Sequence, residues 1–350
     1  MHGFVFYFSI LLFTCHTSAA QPLTYPAERH LRNVRQLTYG GDNAEAYWSN
    51  DGQKLTYQRT DKKRGIPCDQ IWMLDLSAGT EHTSPVRISN GHGRTTCSYF
   101  LPGDTLILFA STHHSHDTCP AEPERVRGKY VWPLYPEYEL YIADLKGNIV
   151  RRLTNNSYYD AEATVSPKGD KIIFTSTRTG DPELYIMNID GSGVRQITNR
   201  TGYDGGAFFS PNGKKIVWRS TRFDSDSEVT EYKKLLEKGL VSPNKMELYM
   251  AKANGKKCRK ITQLGGANWA PFFHPSGKKI IFSSNHATQT IPFNLYMINT
   301  DGSGLEQITY DPIFDAFPMF SPDGKKLVWC SNRNNNGTRD TNIFVGDWVE

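Results

Sequence analysis

A chain of 350 residues, 38% hydrophobic and 22% charged, with a formal net charge of +4, has the composition of a globular protein. The hydrophobic share excludes a disordered chain, and so mild a charge excludes a nucleic-acid binder that works by neutralising phosphates.

The N-terminus carries the apolar run FVFYFSILLF, with small residues at Ser18 and Ala20 behind it. That pattern predicts a secretory signal peptide over residues 1–20, and hence a periplasmic or secreted protein. A second reading takes LFTC, residues 12–15, as a lipoprotein box that anchors the chain at an acylated Cys15. The run is too short to cross a bilayer and no later segment can do so, which predicts no transmembrane segment. Residues 21–32 form an N-terminal segment ahead of a domain filling 33–350. An oxidising compartment permits a disulfide among Cys68, Cys97 and Cys119. Cys258 and Cys330 sit in strand contexts and are expected as buried thiols.

From there the chain repeats itself. A turn recurs as SNDG from Ser49, LPGD from Leu101, SPKG from Ser166, SPNG from Ser210, HPSG from His274 and SPDG from Ser321. A second landmark steps in parallel: LT at Leu37, IS at Ile88, LT at Leu153, and IT at Ile197, Ile261 and Ile308. Landmarks that keep phase while their spacing varies mark one structural unit with insertions. In the third copy ATVS, KIIFTST, ELYIMNI and VRQIT read as four short strands separated by Gly-containing turns. Four-stranded units in series predict an all-β fold, a β-propeller of six blades. The last copy ends on a third strand and an unattached VRQLT precedes the first. The N-terminal strand is therefore expected to close the ring and leave no open sheet edge.

SPDGKKLVWCSNR and ELYIMNIDGSGVRQIT resemble the repeat of TolB-like six-bladed β-propellers (WD40-like repeats), across residues 33–349. TolB itself places an α/β domain before its propeller, and this chain shows only a short segment there. Prolyl oligopeptidase relatives add a hydrolase domain after theirs. Here the GSG triplets at Gly191 and Gly302 are turns, without the GxSxG spacing of a nucleophile elbow. Oligogalacturonate lyase, a propeller with a histidine-bound metal, is a more distant likeness.

Two units are longer than the rest, each between its second and third strands, on the face called the top. Blade 2 inserts the proline-rich THHSHDTCPAEPERVRGKYVWPLYPEY, expected as a lid loop. Blade 4 inserts FDSDSEVTEYKKLLEKGLVSPNKM, expected as a short helix. Ser225 and Glu228 have capping-box spacing, Val229, Tyr232, Leu235 and Leu236 share a face, and Gly239 suits the stop. Loops on a rigid scaffold are where binding is usually placed.

Register picks out two columns at the top ends of the strands. Asn43, Thr95, Asp160, Asp204, Asn268 and Asp315 stand six residues before each turn. Asp61, His113, Arg178, Arg222, His286 and Arg333 stand twelve after its first position. Glu45 and Glu162 lie two residues deeper. One reading is a mouth whose carboxylates, arginine forks and imidazoles hold a polar ligand. In the other, the aspartates pair with the arginines and tie strands together. His113, His114 and His116, with His286, are candidate metal ligands, although HHxHxxC matches no established metal spacing.

The leading expectation is a non-catalytic, monomeric binding propeller, without a cofactor, that takes a protein, peptide or glycan at its top face. The tentative ligand-binding residues are Asp160, Glu162, Arg178, Asp204, Arg222, Asn268, His286, Asp315, Arg333 and His113. The alternative is a lyase or hydrolase acting on a polysaccharide or peptide with a divalent metal on the histidines. In that reading an arginine holds substrate carboxylates and Glu162 is the base. A TolB-like envelope scaffold is the third expectation.

Overall fold

The two landmarks turn out to close the backbone of each blade. In the computed structural model, which describes residues 23–79, 84–123 and 126–350, six four-stranded antiparallel sheets follow one another around an axis. The signal-peptide expectation and Cys15 lie outside the described residues. In the turn landmark a serine hydroxyl accepts the N–H of the lysine five residues on, as in Ser166 with Lys171 (3.1 Å), Ser210 with Lys215 (3.0 Å) and Ser321 with Lys326 (2.9 Å). The glycine between them has left-handed φ, +71° at Gly169 and +71° at Gly324, a conformation that favours glycine there and that Asp104 adopts in blade 2 at +54°. In the second landmark the Thr or Ser hydroxyl accepts a third-strand N–H beyond the end of the very short outer strand. Thr154 takes that of Leu140, Thr198 of Leu184, Thr262 of Leu248 and Thr309 of Leu295. A buried N–H left without a partner would cost about 1–3 kcal/mol, so this threonine is part of the fold.

Blades 1 to 5 use consecutive strands, while blade 6 consists of Asp315–Phe320, Lys326–Ser331, Asn342–Trp348 and, on its outside, Leu31–Gln36 from the other end of the chain. Leu31 pairs with Trp348 and Gln36 with Phe344, and the Thr38 hydroxyl takes the N–H of Ile343. Just before this strand, Glu28 is buried and joins Arg333 and Asp315 in an ion-paired cluster with side chains fully out of solvent. Between blades lie large fully buried rings, among them Trp218, Trp329, Phe174, Phe282 and Phe344. Each is worth about 2–3 kcal/mol of burial, and they fuse flat sheets into one body.

The blade 4 insertion forms helix α1, Asp226–Leu236, with Ser225 as N-cap accepting from Glu228 N. It buries Tyr232 and Leu235, half-buries Val229 and Leu236, and hydrogen-bonds Tyr232 to Asp181 of blade 3. No helix among the described residues is long and apolar enough to cross a membrane. One thiol departs from expectation: Cys330 is buried, but Cys258 is exposed. It falls just before the two-residue strand Arg259–Lys260, on the outer edge of blade 4.

Candidate functional site

The two columns form part of the blade walls. Arg178 pairs with Asp160 at 3.0 Å, Arg222 with Asp204 at 2.7 Å and Arg333 with Asp315 at 2.7 Å, all three carboxylates being fully buried. Each arginine also rests on third-strand aromatics, Arg178 over Tyr185, Arg222 over Tyr249 and Arg333 over Phe344. The histidines occupy the same niche. His113 bonds the Ser111 hydroxyl through Nδ1 (2.7 Å) and packs on Tyr141, and His286 does the same with Ser284 (2.9 Å) and Tyr296. Burial holds the His113 imidazole down to about 4 and lowers that of His286. Asn268 bonds the Met246 carbonyl and accepts from Ser284.

His113 and His286 belong to blades 2 and 5, which stand opposite each other in a ring of six. His114 is exposed and His116 lies 3.8 Å from Glu137. Among the described residues no three His, Cys, Asp or Glu side chains converge in a way that would hold a metal ion. Of the three candidate cysteines, Cys68 and Cys119 are bonded, and Cys97 stays free on the innermost strand of blade 2.

Two residues deeper, every innermost strand breaks its register. Glu45, Cys97, Glu162, Gly206, Ala270 and Phe317 all have left-handed φ, between 45° at Ala270 and 62° at Gly206, and each sits within a bulge. Five of the six are not glycine, and such a conformation costs on the order of 1–3 kcal/mol at each. Together they form a ring of side chains around the axis. Below it Tyr47, Tyr99, Phe208 and Phe272, from blades 1, 2, 4 and 5, meet across the axis with centroids 5.3–6.3 Å apart. Those rings obstruct the axis beneath the ring.

Blade 4 departs from the ring's symmetry. A side chain at Gly206 would strike Arg219, its Cβ falling 2.2 Å from Nη1, and one at Gly205 would strike Glu162 and Tyr203. The missing side chains make room for Arg219, which pairs with Glu162 across the blade boundary. Glu162 also accepts from Tyr203 (2.6 Å), Thr175 (2.7 Å) and the backbone N–H of Gly206 (3.0 Å). Arg219 Nη2 donates to the Tyr203 hydroxyl, while Nε is buried without a partner. Across the axis, Glu45 accepts from Tyr47 and from the Cys97 thiol, both at 2.9 Å. Burial pushes the Glu45 carboxyl up, and burial together with Glu45 pushes the Cys97 thiol well up, so that it keeps its proton.

Above this floor opens a cavity of about 700 Å³, whose walls include Tyr130, Trp132, Tyr138, Tyr159, Trp269 and Phe314. Glu162 lines it; Asp160, Arg178, Asp204, Arg222, Asn268, His286, Asp315, Arg333 and His113 do not. Arg219 is the residue that sequence reasoning missed. The signal was there: small or neutral residues, Gln58, Ala110, Thr175, Ser283 and Cys330, hold the equivalent register in the other blades, and only Arg219 faces a Gly-Gly pair.

The later part of the blade 2 insertion, from Tyr130 to Tyr138, lines this cavity. Cys119 bonds to Cys68 of blade 1, and Trp132–Pro133 pairs with Leu240–Val241 of the blade 4 insertion. Lys129 forms an ion pair with Glu231 of α1. Trp132 lies 5.2 Å from the Trp269 ring centroid, and the Arg219 guanidinium sits 5.2 Å over the Trp132 ring and 5.5 Å over Tyr203.

A candidate TolB from Agrobacterium tumefaciens superposes with TM-score 0.54 at 18% identity, over 89% of this chain and 91% of the other. TolB from Acinetobacter baumannii gives 0.55 at 20%, over 78% of this chain and 56% of its own. An oligogalacturonate lyase in complex with manganese gives 0.50 at 14%, over 91% and 93%. At such identities these likenesses carry the fold alone. Among curated proteins the sequence finds no match. The TolB beta propeller domain family matches residues 135–234 and 241–339, more than half of the chain, and the chain therefore belongs to that family.

Proposed function

We propose that this propeller is an exported, non-catalytic binding protein that takes an extended peptide segment of a protein partner in the cavity beneath its blade 2 insertion. The observation that carries the reading is the cavity itself: about 700 Å³, walled by aromatic rings over a polar floor. Rings that pair an apolar body with a polar tip suit peptide side chains and backbone together. The floor favours binding over chemistry. Glu162 is engaged by three donors and paired with Arg219, so it is a poor free base, and the Cys97 thiol holds its proton. The Cys68–Cys119 bond supports an oxidising, periplasmic or extracellular setting.

A random-peptide display selection on the immobilised mature protein tests this, repeated on Trp132→Ala and Trp269→Ala. Enriched peptides should bind the parent and lose at least tenfold in affinity to both variants. Peptides that ignore both substitutions, or an empty selection beside a glycan array that gives strong hits, would overturn the reading.

A further inference from the structure

Far from the mouth, blade 4 departs from its sister blades a second time. Where the second strand of a blade meets the end of the third, residues pair in a fixed register. The third-strand member is Asp75, Asp144, Asn188, Asn299 or Asp347 in blades 1, 2, 3, 5 and 6. In blade 4 it is Lys252, and it faces Lys215. Like charges set directly opposite in a sheet are destabilising, and five sister blades avoid the arrangement. The turn that follows is Asp-Gly-Ser-Gly from Asp190 and from Asp301 in blades 3 and 5, with the aspartate capping its own serine. In blade 4 it reads Asn254, Gly255, Lys256, Lys257, leading into Cys258, Arg259 and Lys260. Lys214, Lys215, Lys252, Lys256, Lys257 and Lys260 are all exposed, and among the described residues none has a carboxylate within ion-pair distance. The fold does not need this cluster, since the same turn closes without it twice over.

We propose that this bottom corner of blade 4 docks the protein on an anionic phospholipid surface. The chemistry favours a surface over a shaped ligand. The cations are mostly lysines, point charges without the planar fork that grips a single phosphate or carboxylate. They stand on the outer corner of a blade, away from the axial cavities. The surroundings also disfavour a protein partner. None of the molecule's exposed large apolar residues comes from residues 211–217 or 250–262, so the patch lacks the aromatic or aliphatic centre on which protein interfaces depend. The charge along blade 4 gives docking a direction: helix α1 at the top mixes Asp226, Glu228 and Glu231 with Lys233 and Lys234 and is close to neutral, whereas the bottom corner is cationic throughout. A negative surface would attract the bottom and leave the mouth facing away from it.

Vesicle flotation at low salt tests the proposal, comparing phosphatidylcholine alone with phosphatidylcholine containing phosphatidylglycerol. The parent should float only with the anionic vesicles and be released as salt rises. The triple variant Lys252→Gln, Lys256→Gln, Lys257→Gln should lose affinity on the order of a hundredfold. A control with the same net charge, Lys233→Gln, Lys234→Gln, Lys238→Gln on and beside α1, should bind within a few-fold of the parent. The patch variant should melt no lower than the parent, because it removes the repulsion between Lys215 and Lys252. Three results would overturn the proposal: no flotation by the parent, equal losses in both triple variants, or capture by soluble dextran sulfate without any by vesicles.

Discussion

Asp160–Arg178 and Glu162–Arg219 are ion pairs rooted two residues apart on one strand, yet they differ in every other respect. The first joins neighbouring strands of one blade, stacks its guanidinium on a tyrosine, and recurs in blades 4 and 6. The second crosses from blade 3 to blade 4, needs two glycines to make room, and borders the open cavity. Repetition marks the first as scaffold, since a ligand site has no use for three equivalent copies around a ring. Broken symmetry marks the second as the candidate site; its left-handed backbone does not distinguish it, since all six blades share that conformation.

Breaking each kind of pair should therefore give different phenotypes. The largest stability loss is expected at Arg333, which neutralises Asp315 and Glu28 with all three side chains sealed from solvent. Arg333→Ala leaves two buried carboxylates without their cation and should cost about 3–5 kcal/mol in chemical denaturation. A loss under about 1 kcal/mol would mean that the wall pairs are not structural. Next comes the Cys68–Cys119 bond, which closes a loop with a sequence separation of 51. Replacing both cysteines with serine should cost about 2–4 kcal/mol, read as a fall in Tm.

Glu162→Gln sharpens the contrast. It keeps the shape, leaves Arg219 with a weaker acceptor, and should destabilise by about 1–3 kcal/mol, less than Arg333→Ala because Arg219 borders the cavity. Peptide selection on this variant should nonetheless fail or shift, whereas Asp160→Asn should leave the selected peptides unchanged. If both variants select alike, the axial cluster is scaffold too.

How much of this was legible in the sequence follows from the same contrast. The blades could be read because Thr198 does a backbone task that a Thr or Ser repeats in all six copies, while Ser166 and Gly169 do tasks repeated in most of them, so the copies reinforce one signal. The short helix could be read from the capping pair Ser225 and Glu228, a local bond. Arg219 was hidden because its partner lies 57 residues earlier in another blade. Its strand, KIVWRST, looks like any other until it is compared position by position with KIIFTST. The blade 2 insertion could be placed on the top face, but its path was set by Cys119 and by a two-residue pairing with Leu240–Val241, neither of which has a periodic signature. Glu28 lay in a segment with no repeat to compare it with.

A smaller effect is expected from acid. The fold holds the His113 imidazole at about 4 against the usual 6.5. As pH falls below 6.5 the unfolded chain takes up this proton first, so the contribution is complete above pH 6.5 and is lost progressively toward pH 4. His286 and His274 are lowered by burial and act in the same direction. Glu183, raised to about 8 by burial, acts in the opposite sense, favouring the fold at lower pH. The comparison must therefore be between parent and His113→Gln, which share everything else. The variant's unfolding free energy should fall less steeply between pH 6.5 and pH 4, and an unchanged slope would remove His113 from the account.

The smallest expected effect is nil, and it bears on the metal-dependent alternative. A structural zinc is worth on the order of 10 kcal/mol, so its removal could not pass unseen in a melt. His113 and His286 each commit Nδ1 to a serine of their own strand and face each other across the full ring. To share an ion, one of them would have to leave its tyrosine and cross the axis above the Glu162–Arg219 pair. A chelator should accordingly leave Tm where it is in both the parent and His113→Ala. A fall in the parent alone would mean that the blade 2 histidines rearrange around a metal, and would return Glu162 to consideration as a catalytic base.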